Sequence, residues 1–183
     1  MKKLLMVIII LFLSSTMSYG YNLGPYKWGM DYNEVKKMSV SMKEVYKNRF
    51  LIELKKNHEN KFLIKSDFFD LLTFDSNGKL IAITQTYGPY ENYYGLCETF
   101  GQLVIESAME KGEPTLLNVT PIPSEIINSG MNPIYDIHNG VIELEVGWMT
   151  VELDELTYIH AEIKNDKVYV TKVTVWGKEN INQ

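Results

Sequence analysis

The sequence predicts an α+β fold, an antiparallel sheet of about six strands with two main helices packed on one face. Three observations carry this. Amphipathic patterns with a helical period follow Asp31 and start again at Tyr93. Strand-like runs fall into two groups of three, one between Phe50 and Tyr87 and one between Val141 and Trp176. Strands and helices do not alternate in the way that builds a parallel sheet.

The chain opens with MKKLLMVIIILFLSSTMSYG. Two lysines, an apolar run from Leu4 to Leu13 and small residues at Ser18 and Gly20 follow the order of a cleavable signal peptide. The run is shorter than the roughly 20 residues a membrane-spanning helix needs. We therefore expect residues 1–20 to be a signal peptide, a mature chain starting near Tyr21, and residues 21–183 to form a single domain. The expected location is exported, periplasmic or secreted. No cysteine follows the apolar run, so a lipoprotein is not expected.

Eighteen basic residues against 23 acidic ones give a net charge of −5. Without a basic cluster to displace counterions, nucleic acid is a poor partner for this chain. A chain of this size buries roughly 70% of its unfolded surface, enough for one core. Cys97 is the one cysteine, so packing and not an internal disulfide must stabilise that core. Its place in an apolar helical pattern makes it a small buried hydrophobe.

In the first element, Asp31 and Glu34 stand in capping-box relation, and Met30 and Val35 can close a hydrophobic staple. Val35, Met38, Met42 and Val45 recur at helical steps, which predicts a short helix through them. The runs FLIEL, Phe69–Phe74 and Leu80–Tyr87 then predict three antiparallel strands, with Asn77-Gly78 as a hairpin turn. The second helix buries Tyr93, Leu96, Cys97, Phe100, Leu103, Val104 and Ala108, and stops at Gly112 and Pro114. Gly95 and Gly101 each cost about 1 kcal/mol within it, and close packing on another element is the expected reason for them.

Residues near 118–140 contain Pro121, Pro123 and Pro133 with several Asn and Ser and no period, and read as a long loop. Loops of that length in compact domains are functional or mobile. The segments VIELEVGWMTVEL, TYIHAEIK and VYVTKVTVW complete the sheet, the last two joined through Asn165-Asp166.

Trp28-Gly29-Met30-Asp31 with Glu34-Val35, then Phe74-Asp75-Ser76-Asn77-Gly78-Lys79-Leu80, then Lys111-Gly112-Glu113-Pro114 form a series of motifs in the first half of the mature chain. In these the chain resembles a broad group of small exported bacterial proteins that includes the BamE/SmpA outer-membrane assembly proteins and the β-lactamase inhibitor proteins. The resemblance implies helices packed on an antiparallel sheet and a role in binding another protein. The lipidated cysteine usual in BamE-type proteins is missing, and the Tyr-rich segment and long loop have no counterpart.

Catalytic and metal signals are weak. His58, His138 and His160 have no histidine or cysteine at ligand spacing. Asp75-Ser76-Asn77-Gly78 lacks the later acidic ligand of a calcium loop. No nucleophile motif or Gly-rich phosphate loop occurs. Asp67 or Asp70, flanking two phenylalanines, would need a second convergent carboxylate to act as an acid. No cofactor is expected.

Tyrosine combines a large apolar face with a polar tip, a pairing favoured at interfaces. Tyr93 is assigned to the core, and Tyr90 and Tyr94 are expected to be exposed. With Ile134, Tyr135 and His138 of the loop they form the predicted interaction surface. The function expected is that of a non-catalytic cell-envelope binding protein whose partner is another envelope or secreted protein. The alternative is a carrier holding a small apolar ligand or lipid in an internal cavity.

Overall fold

The computed structural model describes residues 26–54, 70–151 and 154–177. The expected signal peptide, His58 and Asp67 lie outside the described residues.

The segment Lys27–Met30 is stitched to the strand that follows the Asn77-Gly78 turn. Gly29 N–H donates to Leu80 O, Leu80 N–H to Met30 O and Tyr32 N–H to Gly78 O, each at 3.0 Å. Gly29 sits at φ +72°, a conformation glycine adopts without strain, and it passes over the Trp176 ring. Helix α1, Tyr32–Met38, follows. Asp31 Oδ1 accepts from Asn33 N–H at 2.9 Å, and Glu34 Oε2 accepts from Asp31 N–H at 3.0 Å, closing the expected capping box.

The helix stops earlier than the periodicity predicts. Ser39 is extended and turns its hydroxyl back to Val35 O at 2.9 Å. Strand β1, Ser39–Tyr46, begins there and pairs with β2, Arg49–Leu54. Strands β3, Asp70–Phe74, and β4, Leu80–Tyr90, complete a four-stranded meander. Its last turn is tied by Asp75 Oδ1, which accepts from the backbone of Asn77 and Lys79, both at 2.8 Å.

The second half repeats that order. Helix α2, Tyr93–Lys111, starts where Asn92 caps the Gly95 N–H and ends at Gly112, φ +82°. Strand β5, Leu116–Val119, precedes two short helices, α3, Ser124–Ile127, and α4, Ile134–His138. Strands β6, Leu144–Thr150, β7, Glu155–Lys164, and β8, Lys167–Trp176, close it. Each half is thus a leading helix and four strands, with α3 and α4 inserted between β5 and β6 in the second. The two final strands, β4 and β8, pair antiparallel at the centre of a sheet ordered β1-β2-β3-β4-β8-β7-β6-β5.

The predicted α+β arrangement of six strands and two main helices is corrected to a mostly-strand fold. Among the described residues, one eight-stranded antiparallel sheet carries four helices, only two of which reach seven residues. The additional strands have physical causes. Met42 and Val45 fit a helical step, but β1 gains a ladder to β2, interrupted by two register shifts, that a continued helix would forgo. β5 is only four residues long and enclosed by Pro114 and Pro121, so it carries no period of its own. The expected long loop near 118–140 is likewise structured. Its polar residues are caps: Ile134 N–H donates to Asn132, and the Asn128 and Asn139 side chains donate to Ser124 O and Tyr135 O.

Strand register puts two apolar clusters on one face of the sheet. Tyr26, Val35, Leu72, Phe74, Leu80 and Ile83 gather beneath α1. Tyr93, Leu96, Phe100 and Leu103 of α2 pack on Tyr87, Val146, Trp148, Ile159 and Val170 of the strands. Ile126 of α3 and Ile134 and Ile137 of α4 join the second cluster. Gly95 behaves as expected, since a Cβ there would stand 3.1 Å from the Tyr90 ring, whereas Gly101 has nothing within 4 Å and is not explained by close packing. Among the described residues no helix is long and apolar enough to cross a membrane.

Candidate interaction surface

Three arrangements of polar and aromatic side chains are candidates for function.

The first joins α2 to α4. Tyr93 is fully buried, and its hydroxyl donates a short hydrogen bond to Asp136 Oδ2. Burial and the neighbouring carboxylate both raise the Tyr93 pKa well above its ordinary value, so it remains a donor. Tyr94 and Tyr135 follow and precede the two members of this pair in sequence. They are 56% and 72% exposed, so both rings reach solvent next in sequence to the two bonded residues. His138 is exposed at the end of α4, and Met131 and Val141 are exposed before and after it.

Two of the five predicted surface residues stand elsewhere. Tyr90 is half-buried and donates from its hydroxyl to Thr99 Oγ1 at 2.7 Å, because β4 continues to residue 90 and turns the ring under α2. Ile134 is half-buried and packs on the core, serving to anchor α4. Tyr94, Tyr135 and His138 are the exposed members.

The second arrangement is interior. Glu155 and Lys111 form an ion pair with side chains 1% and 3% exposed. Glu155 also accepts from Trp28 Nε1 at 2.8 Å and from the Thr157 hydroxyl at 3.3 Å, and Thr157 in turn reaches Thr174 at 3.4 Å. Nearby, burial lowers the Lys172 pKa and raises that of Glu110, each drawn partly back by the other's charge. This network locks the end of α2, strand β7 and the Trp28 segment together. No local sequence signal marks it, since Trp28 and Glu155 are 127 residues apart.

The third lies on the opposite face of the sheet from the two clusters. Glu162 is partly desolvated, which pushes its pKa up, but bonds from His160, Lys164 and Thr171 outweigh this and hold it at about 2. The Tyr158 ring stacks 4.9 Å from that of His160. The Tyr158 pKa is pushed up to about 12 by burial and by its bond to Glu145. Alternation along β7 could have shown that Tyr158, His160 and Glu162 share a face; their partners on β6 and β8 required the register.

Among the described residues, no three His, Cys, Asp or Glu side chains are grouped to hold a metal ion. Cys97 is a half-buried free thiol whose pKa is raised by burial, which favours the unreactive thiol. Two concavities are open to solvent. One runs along the outer side of α2 past Gly101, Ile105 and Met109; the other, about 190 Å³, lies between α2 and the segment after β5.

No family model, curated protein or solved structure matches the chain.

Proposed function

We propose that this chain is a non-catalytic exported protein of the cell envelope that binds another protein through the exposed face formed by Tyr94 and the α4 segment. The observation that carries the reading is that exposed Tyr94 and Tyr135 are the sequence neighbours of Tyr93 and Asp136, whose hydrogen bond ties α2 to α4. Tyrosine rings that are exposed while their backbones are pinned lose little conformational freedom on binding, and this is the physics of an interface anchor. The export reading rests on residues 1–20 of the sequence, and the resemblance to BamE/SmpA-like and β-lactamase-inhibitor-like proteins agrees with a binding role.

The experiment is cross-linking capture from the native envelope with wild-type protein and a Tyr94→Ala/Tyr135→Ala variant. Both rings are exposed, so the variant should melt like the wild type. Loss of one specific partner at unchanged melting supports the reading, and equal capture by both proteins contradicts it. Replacing the whole segment would be uninformative, because Ile122, Ile126, Ile134 and Ile137 belong to the core.

A further inference from the structure

The two edges of the sheet are built differently. Edge strand β1 carries exposed Lys43 and Glu44, is followed by Lys47, and pairs with β2 through two register shifts. Charges and irregular register are the devices that keep an edge from taking up another strand. Edge strand β5, Leu-Leu-Asn-Val, has no charge and no proline, and all four side chains are exposed. Among the described residues it pairs only with β6. Thr120 donates its backbone N–H to Glu143 O at 2.8 Å. Backbone direction alternates along a strand, so Asn118 faces β6 and the N–H and C=O groups of Leu117 and Val119 point outward.

We propose that the β5 edge is a self-association site, where a second copy of this chain pairs its own β5 antiparallel. The geometry selects the occupant. A two-fold axis through Asn118 sets Leu117 of each copy opposite Val119 of the other, and all the outward backbone groups of both strands are then bonded. A two-fold axis through Leu117 would need outward groups on Thr115, whose N–H is already given to Gly147 O at 2.8 Å. Leu117 and Val119 lie on the helix-bearing side, paired with Val146 and Leu144. Val119 also walls the open groove of about 190 Å³, whose other walls include Phe100, Ile122 and Leu144. The register therefore brings the 68%-exposed Leu117 of one copy to the apolar groove of the other. The uncharged strand meets its copy without local repulsion, despite a net charge of −5 on each chain. Pro114 and Pro121 confine the pairing to this short stretch. This inference does not depend on the partner-binding reading, which uses a different set of residues.

The test is sedimentation velocity over a concentration series on the full chain, with oxidative cross-linking of Asn118→Cys in a Cys97→Ser background. Residue 118 faces its own copy as a non-hydrogen-bonded pair, with Cα atoms about 4.5 Å apart, within the roughly 4.4–6.8 Å span of a disulfide. We expect a concentration-dependent dimer, rapid linking through Asn118→Cys, and loss of the dimer in Leu117→Lys with an unchanged circular dichroism spectrum. Should Leu117→Lys fail to fold, the Asn118→Cys linkage decides alone. A monomer at every concentration overturns the proposal, as does a dimer that links through Tyr46→Cys on β1 and not through Asn118→Cys. A monomer whose β5 takes a different protein overturns it as well.

Discussion

The indole N–H of Trp28 donates to the Glu155 carboxylate at 2.8 Å, and that carboxylate also holds the buried ammonium of Lys111. One acidic side chain on β7 thus fixes the segment before α1 and the last turn of α2. Trp28→Phe keeps most of the ring and removes the donor, so it should cost about 1.5–3 kcal/mol, as for a hydrogen bond to a charged group. Glu155→Ala takes the carboxylate away from the buried Lys111 ammonium and the Trp28 indole and should cost about 3–5 kcal/mol, whereas Glu155→Leu with Lys111→Met should be milder. Urea unfolding of the single and double variants checks both.

The Tyr93 hydroxyl ties α2 to α4 through Asp136, so Tyr93→Phe should loosen α4 without unpacking the ring. We expect a loss of about 1–3 kcal/mol from the partly buried Asp136 carboxylate that loses its donor, and faster hydrogen exchange confined to residues 131–142. Tyr94→Ala, by contrast, should leave exchange and melting unchanged.

The two glycines of α2 should respond with opposite signs. Gly101→Ala enters open space in a helix and should stabilise by about 0.5–1 kcal/mol. Gly95→Ala would bring a methyl group to 3.1 Å from the Tyr90 ring and should destabilise. Thermal melting of the pair distinguishes them.

Glu162 sets an acid limb. Its pKa is about 2 in the folded chain against 4.5 as the ordinary value. The unfolded chain therefore binds the proton first, and the stabilisation present above about pH 4.5 is lost as pH falls toward 2. Partial exposure screens the effect to about 1–2 kcal/mol. Glu162→Gln should flatten the stability profile between those values, and an unchanged profile would show that the bonds from His160, Lys164 and Thr171 do not hold the carboxylate.

Local signals in the sequence located what local physics decides. The Asp31/Glu34 capping box, the Asn77-Gly78 turn, the buried face of α2 and the pairing through Asn165-Asp166 all follow from neighbouring residues. Where two periods competed, tertiary pairing decided. Met42 and Val45 satisfy a helical step and also a strand, and the ladder to β2 selects the strand. β5, α3 and α4 are too short to show any period. Tyr94 and Tyr135 were legible as candidate anchors from their type, but the bond that ties their two helices joins Tyr93 to Asp136, 43 residues away. Tyr90 was misplaced because β4 extends past the Gly88-Pro89 break and carries its ring beneath α2.

If Tyr94 and Tyr135 belong to one protein-binding surface, one partner touches both. The most direct measurement places a photo-cross-linking phenylalanine analogue at each position in turn, with Tyr46 on β1 as control, and irradiates the protein in its native envelope. We expect Tyr94 and Tyr135 to capture the same single protein and Tyr46 not to capture it. No adduct at either position, different proteins at the two, or the same protein at all three would contradict it.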